Sequence, residues 1–245
     1  MKFCPIMPVS CFPRFGHRSD CHMALAQYLC NKDYFKFFYE KKQKGDTVIL
    51  DNGAYEESAI HFSELARWVT ELRPSVVVLP DVPGNFEKTI QRSHNYLDSF
   101  GLPHGTEGMM VLHAKDGALA HFEVAYNLCP VKWIGFSRLT KRYSGDPGYL
   151  RRVHFAKWLK EQSVWRSDLT HHALGMLNGE VAELRHLALA GFHSCDSSAP
   201  IWRGLHGYTL TDTDWPNFEF DPTGIGDPEL LAEVNLTQVL EACNG

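Results

Sequence analysis

No apolar run in this 245-residue chain approaches the roughly 20 residues that a membrane-spanning helix needs. Met1-Lys2-Phe3-Cys4-Pro5 begins no extended apolar stretch ending at a small-residue cleavage site, so no secretory signal is expected. No membrane partner and a cytoplasmic location follow as expectations. Cysteine is scattered and unpatterned. Its seven copies, at 4, 11, 21, 30, 129, 195 and 243, include no CxxC pair. That spacing suggests neither a zinc ribbon nor a disulfide framework, and free thiols in a reducing compartment are expected. No GxGxxG follows the first apolar run, which weakens a dinucleotide-binding fold. No HxH or HExxH accompanies His171-His172, so these two are read as structural and no metal is expected. No internal repeat, low-complexity tract or linker interrupts the chain.

What is present suits one large globular domain spanning 1–245: 44% hydrophobic and 22% charged residues, with a net charge of -5. The charge is unevenly spread. Residues 130–166 carry nine Lys or Arg against Asp146 and Glu161, whereas 211–245 carry eight acids and no Lys or Arg. A local surplus of this kind is either a solvated helix face or a phosphate footprint.

Short apolar runs at 2–8, 47–50, 75–80, 108–113, 133–137, 171–177, 192–195 and, weakly, 207–211 read as strands. Val76-Val77-Val78-Leu79 is apolar on both faces, as a buried parallel sheet requires. Helical patterns lie between the runs. Phe62, Leu65, Ala66, Val69 and Leu72 share one face. Asn85, Asp116 and Asn178 stand where caps would precede helices at 86–99, 117–128 and 179–190. Asp227-Pro228 pairs a cap with a first-position proline for the last helix. About eight strands alternating with helices point to a single-domain (β/α)8 TIM-type barrel, with an open doubly wound sheet as the alternative.

Chemistry in such a barrel sits where strands end. Asp51-Asn52-Gly53 follows the second strand candidate, Asp81 the third, and His113 ends the fourth. Gly135-Phe136-Ser137 ends the fifth, Gly175 lies in the sixth, and Asp196 follows the seventh. Three carboxylates are thus expected at one rim. Paired carboxylates suit glycosidic chemistry, one attacking the anomeric carbon and the other handling the leaving-group proton. A third, ionised carboxylate can accept both the N1–H and the N2–H₂ of guanine. The same trio also fits a magnesium site. Asp196 could instead cap a turn, Asp51 and Asp81 could simply end strands, and Cys195 could be a nucleophile beside His193.

Six ordered segments resemble the tRNA-guanine transglycosylases. Asp51-Asn52-Gly53-Ala54-Tyr55 is similar to their DSGGY/F segment, and Val78-Leu79-Pro80-Asp81 to the strand ending in the guanine-reading aspartate. Met110-Val111-Leu112-His113-Ala114-Lys115-Asp116-Gly117 stands where the family has GIVQGG. Trp133-Ile134-Gly135-Phe136 resembles GGLAVGE, and Ala173-Leu174-Gly175-Met176 resembles YLMGVG. Gly191-Phe192-His193-Ser194-Cys195-Asp196-Ser197-Ser198-Ala199-Pro200 resembles GVDLFDCVxP.

The resemblance implies Asp196 as the nucleophile at C1′ and Asp51 as general acid and base. It implies Asp81 as the reader of N1 and N2, with Asn52 beside it in place of a serine. Tyr55 would stack on the base, opposite Leu174 or Met176 next to Gly175. Backbone at Gly135 and Phe136, and His113 in place of a glutamine, would meet O6. No cofactor is implied.

The departures matter as much. After Asp196 stand only Cys243 and His206, so the family's CxCxxC…H zinc site is absent. Ile201-Trp202-Arg203 follows Pro200 where the family has its PTR. The short chain looks like the phage and bacterial DNA-guanine transglycosylases, which place 7-deazaguanines in DNA (in a phage, within the host cytoplasm). DNA and a 7-deazaguanine base are then the partners. Arg138, Lys141, Arg142, Arg151, Arg152 and Arg203 would hold phosphates. The alternatives are a tRNA-guanine transglycosylase and a metal-dependent barrel hydrolase.

Overall fold

A computed structural model describes residues 1–54, 60–113, 131–138, 140, 148–176, 180–214, 216, 220–223 and 230–244. Eight parallel strands lie among them: β1 (Lys2–Pro5), β2 (Cys21–Leu25), β3 (Thr47–Asp51), β4 (Val76–Val78), β5 (Glu107–Leu112), β6 (Trp133–Ser137), β7 (Thr170–Leu174) and β8 (Ser194–Ser197). The described helices are α1 (Phe12–Phe15), α2 (Lys32–Gln43), α3 (Phe62–Leu72), α4 (Phe86–Phe100), α5 (Arg151–Glu161), α6 (Val181–Leu189), α7 (Ala199–Leu205) and α8 (Leu230–Asn244). The strands are ordered β1-β8-β7-β6-β5-β4-β3-β2, and every paired ladder is parallel. This is a nearly closed (β/α)8 TIM-type barrel, with its seam between β1 and β2. No described helix is long and apolar enough to cross a membrane.

Side chains alternate between the two faces of a strand. Cys4, Cys21, Met23, Leu25, Ile49, Val76, Val78, Met109 and Val111 point inward and fill the barrel. Their neighbours Phe3, Ala24, Val48, Leu50, Val77, Met110, Leu112, Ile134, Phe136, Ala173 and Cys195 point outward and pack under the helices. Asn31 caps α2, accepting from the N–H groups of Asp33 and Tyr34. Asn85 caps α4 as its sequence position predicts, accepting from Lys88.

Several expectations need correction. Cys21–Leu25 is a strand that hydropathy reading missed, because His22 interrupts the run and Gln27-Tyr28 follow closely. The weak run 207–211 is not a strand; its backbone turns after α7, with Gly207 and Tyr208 bonded back to Gly204 and Arg203. Helix α6 starts at Val181 with Glu180 at its cap position, and Glu180 makes no side-chain capping bond there. Asp116, Asn178 and Asp227-Pro228 lie outside the described residues. The thiols are not all free, since Cys4 and Cys21 form a disulfide with a Cα–Cα separation of 4.9 Å. A 17-residue spacing carries no signal of this pairing. Barrel closure brings β1 and β2 together without a ladder, and two inward cysteines meet there. Cys11, Cys30, Cys195 and Cys243 are free.

Candidate active site

The period-two rule carries the inward face upward to the C-terminal rim. Asp51 lies two residues past Ile49, His113 two past Val111, and Asp196 two past Ser194. Asp51, Asp81, His113, Ser137, Arg138, Leu174, Gly175, Met176 and Asp196 line one cavity of about 840 Å³. Sites for small ligands span roughly 300–1,000 Å³. The cavity floor is apolar, with Met23, Leu25, Val78 and Val111. Tyr28 and Phe220 add aromatic wall, their centroids 5.9 Å apart.

Each aspartate is held by donors from neighbouring backbone or side chains. The Gly53 N–H donates to Asp51 Oδ2 at 3.1 Å, closing a turn in which Gly53 takes φ +73°. Such a φ suits glycine. Asp81 is buried and accepts on both oxygens. Asn52 Nδ2 donates to Oδ1 at 2.8 Å, and His113 Nε2 meets Oδ2 at 2.7 Å. Asp196 is also buried. His172 Nε2 lies 2.9 Å from its Oδ1, and the Gly175 N–H donates to the same oxygen at 3.0 Å. A buried carboxylate without such donors would cost several kcal/mol. Two donors each let Asp81 and Asp196 stay inside the barrel as acceptors.

Arg138 adds a cationic group at the cavity wall. Burial, and then repulsion from Arg152, hold it below the ordinary arginine value, while Asp196 pulls it back up. Among the described residues, no cluster of three or more His, Cys, Asp and Glu could hold a metal ion. The His113 and His172 nitrogens nearest the cavity carboxylates are already bonded to them.

The expected site residues fall into distinct groups. Asp51, Asp81, His113, Leu174, Gly175 and Asp196 share the cavity. Asn52 instead stands behind Asp81, with its amide spent on Asp81, the Leu79 carbonyl and the Ala54 N–H. Gly135 is not among the residues lining the cavity, although its ladder partner Val111 is, and an added Cβ there would sit 2.9 Å from Leu174 Cδ1. Phe136 points outward against Phe155 and Phe192, and its carbonyl accepts from Arg152. Tyr55, Lys141 and Arg142 lie outside the described residues. Cys195 also points outward, and burial pushes its thiol far up, which removes it as a nucleophile.

The described cations of the basic stretch do not form one patch. Arg152 is 1% exposed and pairs with the equally buried Glu183 at 2.7 Å. Its guanidinium also donates to the carbonyls of Phe136, Leu174 and Gly175. It is an internal clamp on the ends of β6 and β7, with no group left to reach a phosphate. Arg203 is likewise buried and donates to the Leu210 carbonyl. Lys132 pairs with Glu107, and Arg166 with Asp168. Lys132 and Arg166 precede β6 and β7, at the barrel end opposite the cavity. Arg138 lines the cavity, and Arg151, the first residue of α5, is half-buried.

Sequence reasoning missed His172, Ser194, Tyr28 and Phe220. His172 was signalled by alternation: it shares a face with Leu174, whereas His171 faces outward and stacks on Trp165 at 3.8 Å. No protein-family model matches the chain, and no curated protein matches it.

Proposed function

We propose that this cavity is the base-exchange site of a DNA-guanine transglycosylase, which replaces guanine in DNA by a 7-deazaguanine such as the 7-cyano form. The target nucleotide must leave the stack, because C1′ and N9 are shielded within a duplex. An Asp196 oxygen attacks C1′ as the C1′–N9 bond breaks. The electron pair leaves on the purine, and Asp51 supplies the proton that releases neutral guanine. Asp51 then takes a proton from the incoming base, whose nitrogen attacks C1′ and frees the Asp196 carboxylate. Asp81, fixed on both oxygens, keeps a lone pair on each for N1–H and N2–H₂. Leu174, Met176, Tyr28 and Phe220 offer apolar and aromatic surface to the base. Arg138, at the cavity wall, would lie beside a flanking phosphate.

The observation that carries this reading is the convergence of Asp51, Asp81 and Asp196, from three strand ends, on one cavity. The reading is favoured over a metal-dependent hydrolase because, among the described residues, no three His, Cys, Asp or Glu side chains gather closely enough to hold a metal ion. The test measures guanine release from DNA and uptake of a 7-deazaguanine, with tRNA assayed in parallel. Wild type should form a covalent DNA adduct that Asp196→Ala abolishes. An adduct surviving that substitution, or exchange on tRNA alone, overturns the assignment.

A further inference from the structure

Asp196 sits at one end of a hydrogen-bond chain that the proposed mechanism leaves unused. Ser194 Oγ lies 2.7 Å from His172 Nδ1, and His172 Nε2 lies 2.9 Å from Asp196 Oδ1. Ser194 is the register partner of His172 across the β7–β8 ladder, so the pleat itself aligns the three groups. His172 is 0% and Ser194 3% exposed, so water does not compete for these bonds. An ionised carboxylate only accepts, which places the proton of a neutral imidazole on Nε2. Nδ1 is then a lone pair, and the Ser194 hydroxyl is its donor. The Gly175 N–H adds a second bond to the same oxygen at 3.0 Å. Oδ2 of Asp196 receives no hydrogen bond from the described residues.

We propose that Ser194 and His172 act as a tautomer-setting pair that commits Oδ1 of Asp196 to hydrogen bonding and leaves Oδ2 as the atom that bonds the sugar. His172 is thus a positioning residue; its role in turnover rests on the base-exchange reading. The Oδ2–C1′ bond forms as C1′–N9 breaks, and Oδ1 becomes the carbonyl oxygen of the ester. When the incoming base expels Asp196, charge returns to an oxygen already facing two donors. That makes Asp196 a competent leaving group as well as a fixed nucleophile.

The inference is tested in the full chain with His172→Gln, His172→Leu and Ser194→Ala. Glutamine can return an N–H near the Nε2 position, and leucine cannot. His172→Leu should slow adduct formation roughly 10- to 100-fold with KM little changed, the effect of losing a hydrogen bond to a charged group. His172→Gln should stay within about fivefold of wild type. Equal losses in both variants, with melting curves showing both folded, overturn the proposal.

A second readout needs no turnover. Side-chain ¹⁵N shifts at pH 8, assigned by their loss in His172→Gln, should show a protonated Nε2 and a bare Nδ1. Ser194→Ala should erode that preference. A protonated Nδ1 in wild type overturns the proposal even if guanine exchange is observed. Absence of exchange in wild type overturns the base-exchange reading and leaves the tautomer result standing.

Discussion

Asp81 is poised by its neighbours. Asn52 and His113 each occupy one lone pair of its carboxylate, and the two bonds fix the plane in which a ligand must present its donors. Asn52→Ala should therefore weaken binding of free guanine by roughly 10- to 100-fold, the worth of one hydrogen bond to a buried charge. Calorimetric titration checks this, and unchanged affinity would show that Asn52 serves only the turn. The family resemblance placed Asn52 against the base, in the position of a serine. Its amide is instead drawn inward by the Leu79 carbonyl. The carboxylates themselves were legible, since each ends an apolar run. The donors to Asp81 and Asp196 were not, because they come from neighbouring strand ends distant in the chain. His113, 32 residues from Asp81, is one such donor.

At the scale of elements, the ends of β6 and β7 depend on α5. Arg152 reaches the carbonyls of Phe136, Leu174 and Gly175 while paired with Glu183 of α6. Gly175, at φ +69°, donates the N–H that holds Asp196, so the clamp acts directly behind the site. Arg152→Met should cost about 3–5 kcal/mol, because it strands the Glu183 charge in the interior. Adding Glu183→Leu should recover much of that loss. Urea unfolding of both variants tests it, and a single variant as stable as wild type would refute the clamp. The sequence carried a usable sign of this burial. Arg152 shares a helical stripe with Phe155, Ala156 and Leu159, all buried. Reading charge by window rather than by face concealed it. Strand Cys21–Leu25 was hidden for a related reason, since a buried histidine broke an otherwise continuous apolar run.

Across the whole molecule, buried histidines set a floor on acid tolerance. Burial lowers His171 to about 3, and burial also lowers His22. The unfolded chain takes up these protons near pH 6.5, before the folded one does. Stability is thus full above that pH and falls as the pH drops toward 3. At pH 4 the loss from His171 alone is on the order of 3 kcal/mol. Melting curves at pH 7.5, 5.5 and 4 should show the decline, and His171→Phe should flatten it while keeping the stack on Trp165. A flat wild-type profile would contradict it. The barrel itself was readable from alternating runs and capped helices, whereas its seam was not, because closure is a property of all eight strands together.

That closure has a consequence for how the molecule fails. Asp81 borrows its donors from the chain just past β3 and β5, and Asp196 borrows its own from β7 and the residue beyond. A slip of one residue between these strands would turn a donor toward the outer layer. A misthreaded chain would then hold its carboxylates without the groups that fix them, and only a correctly wound barrel would gather all three around a single cavity.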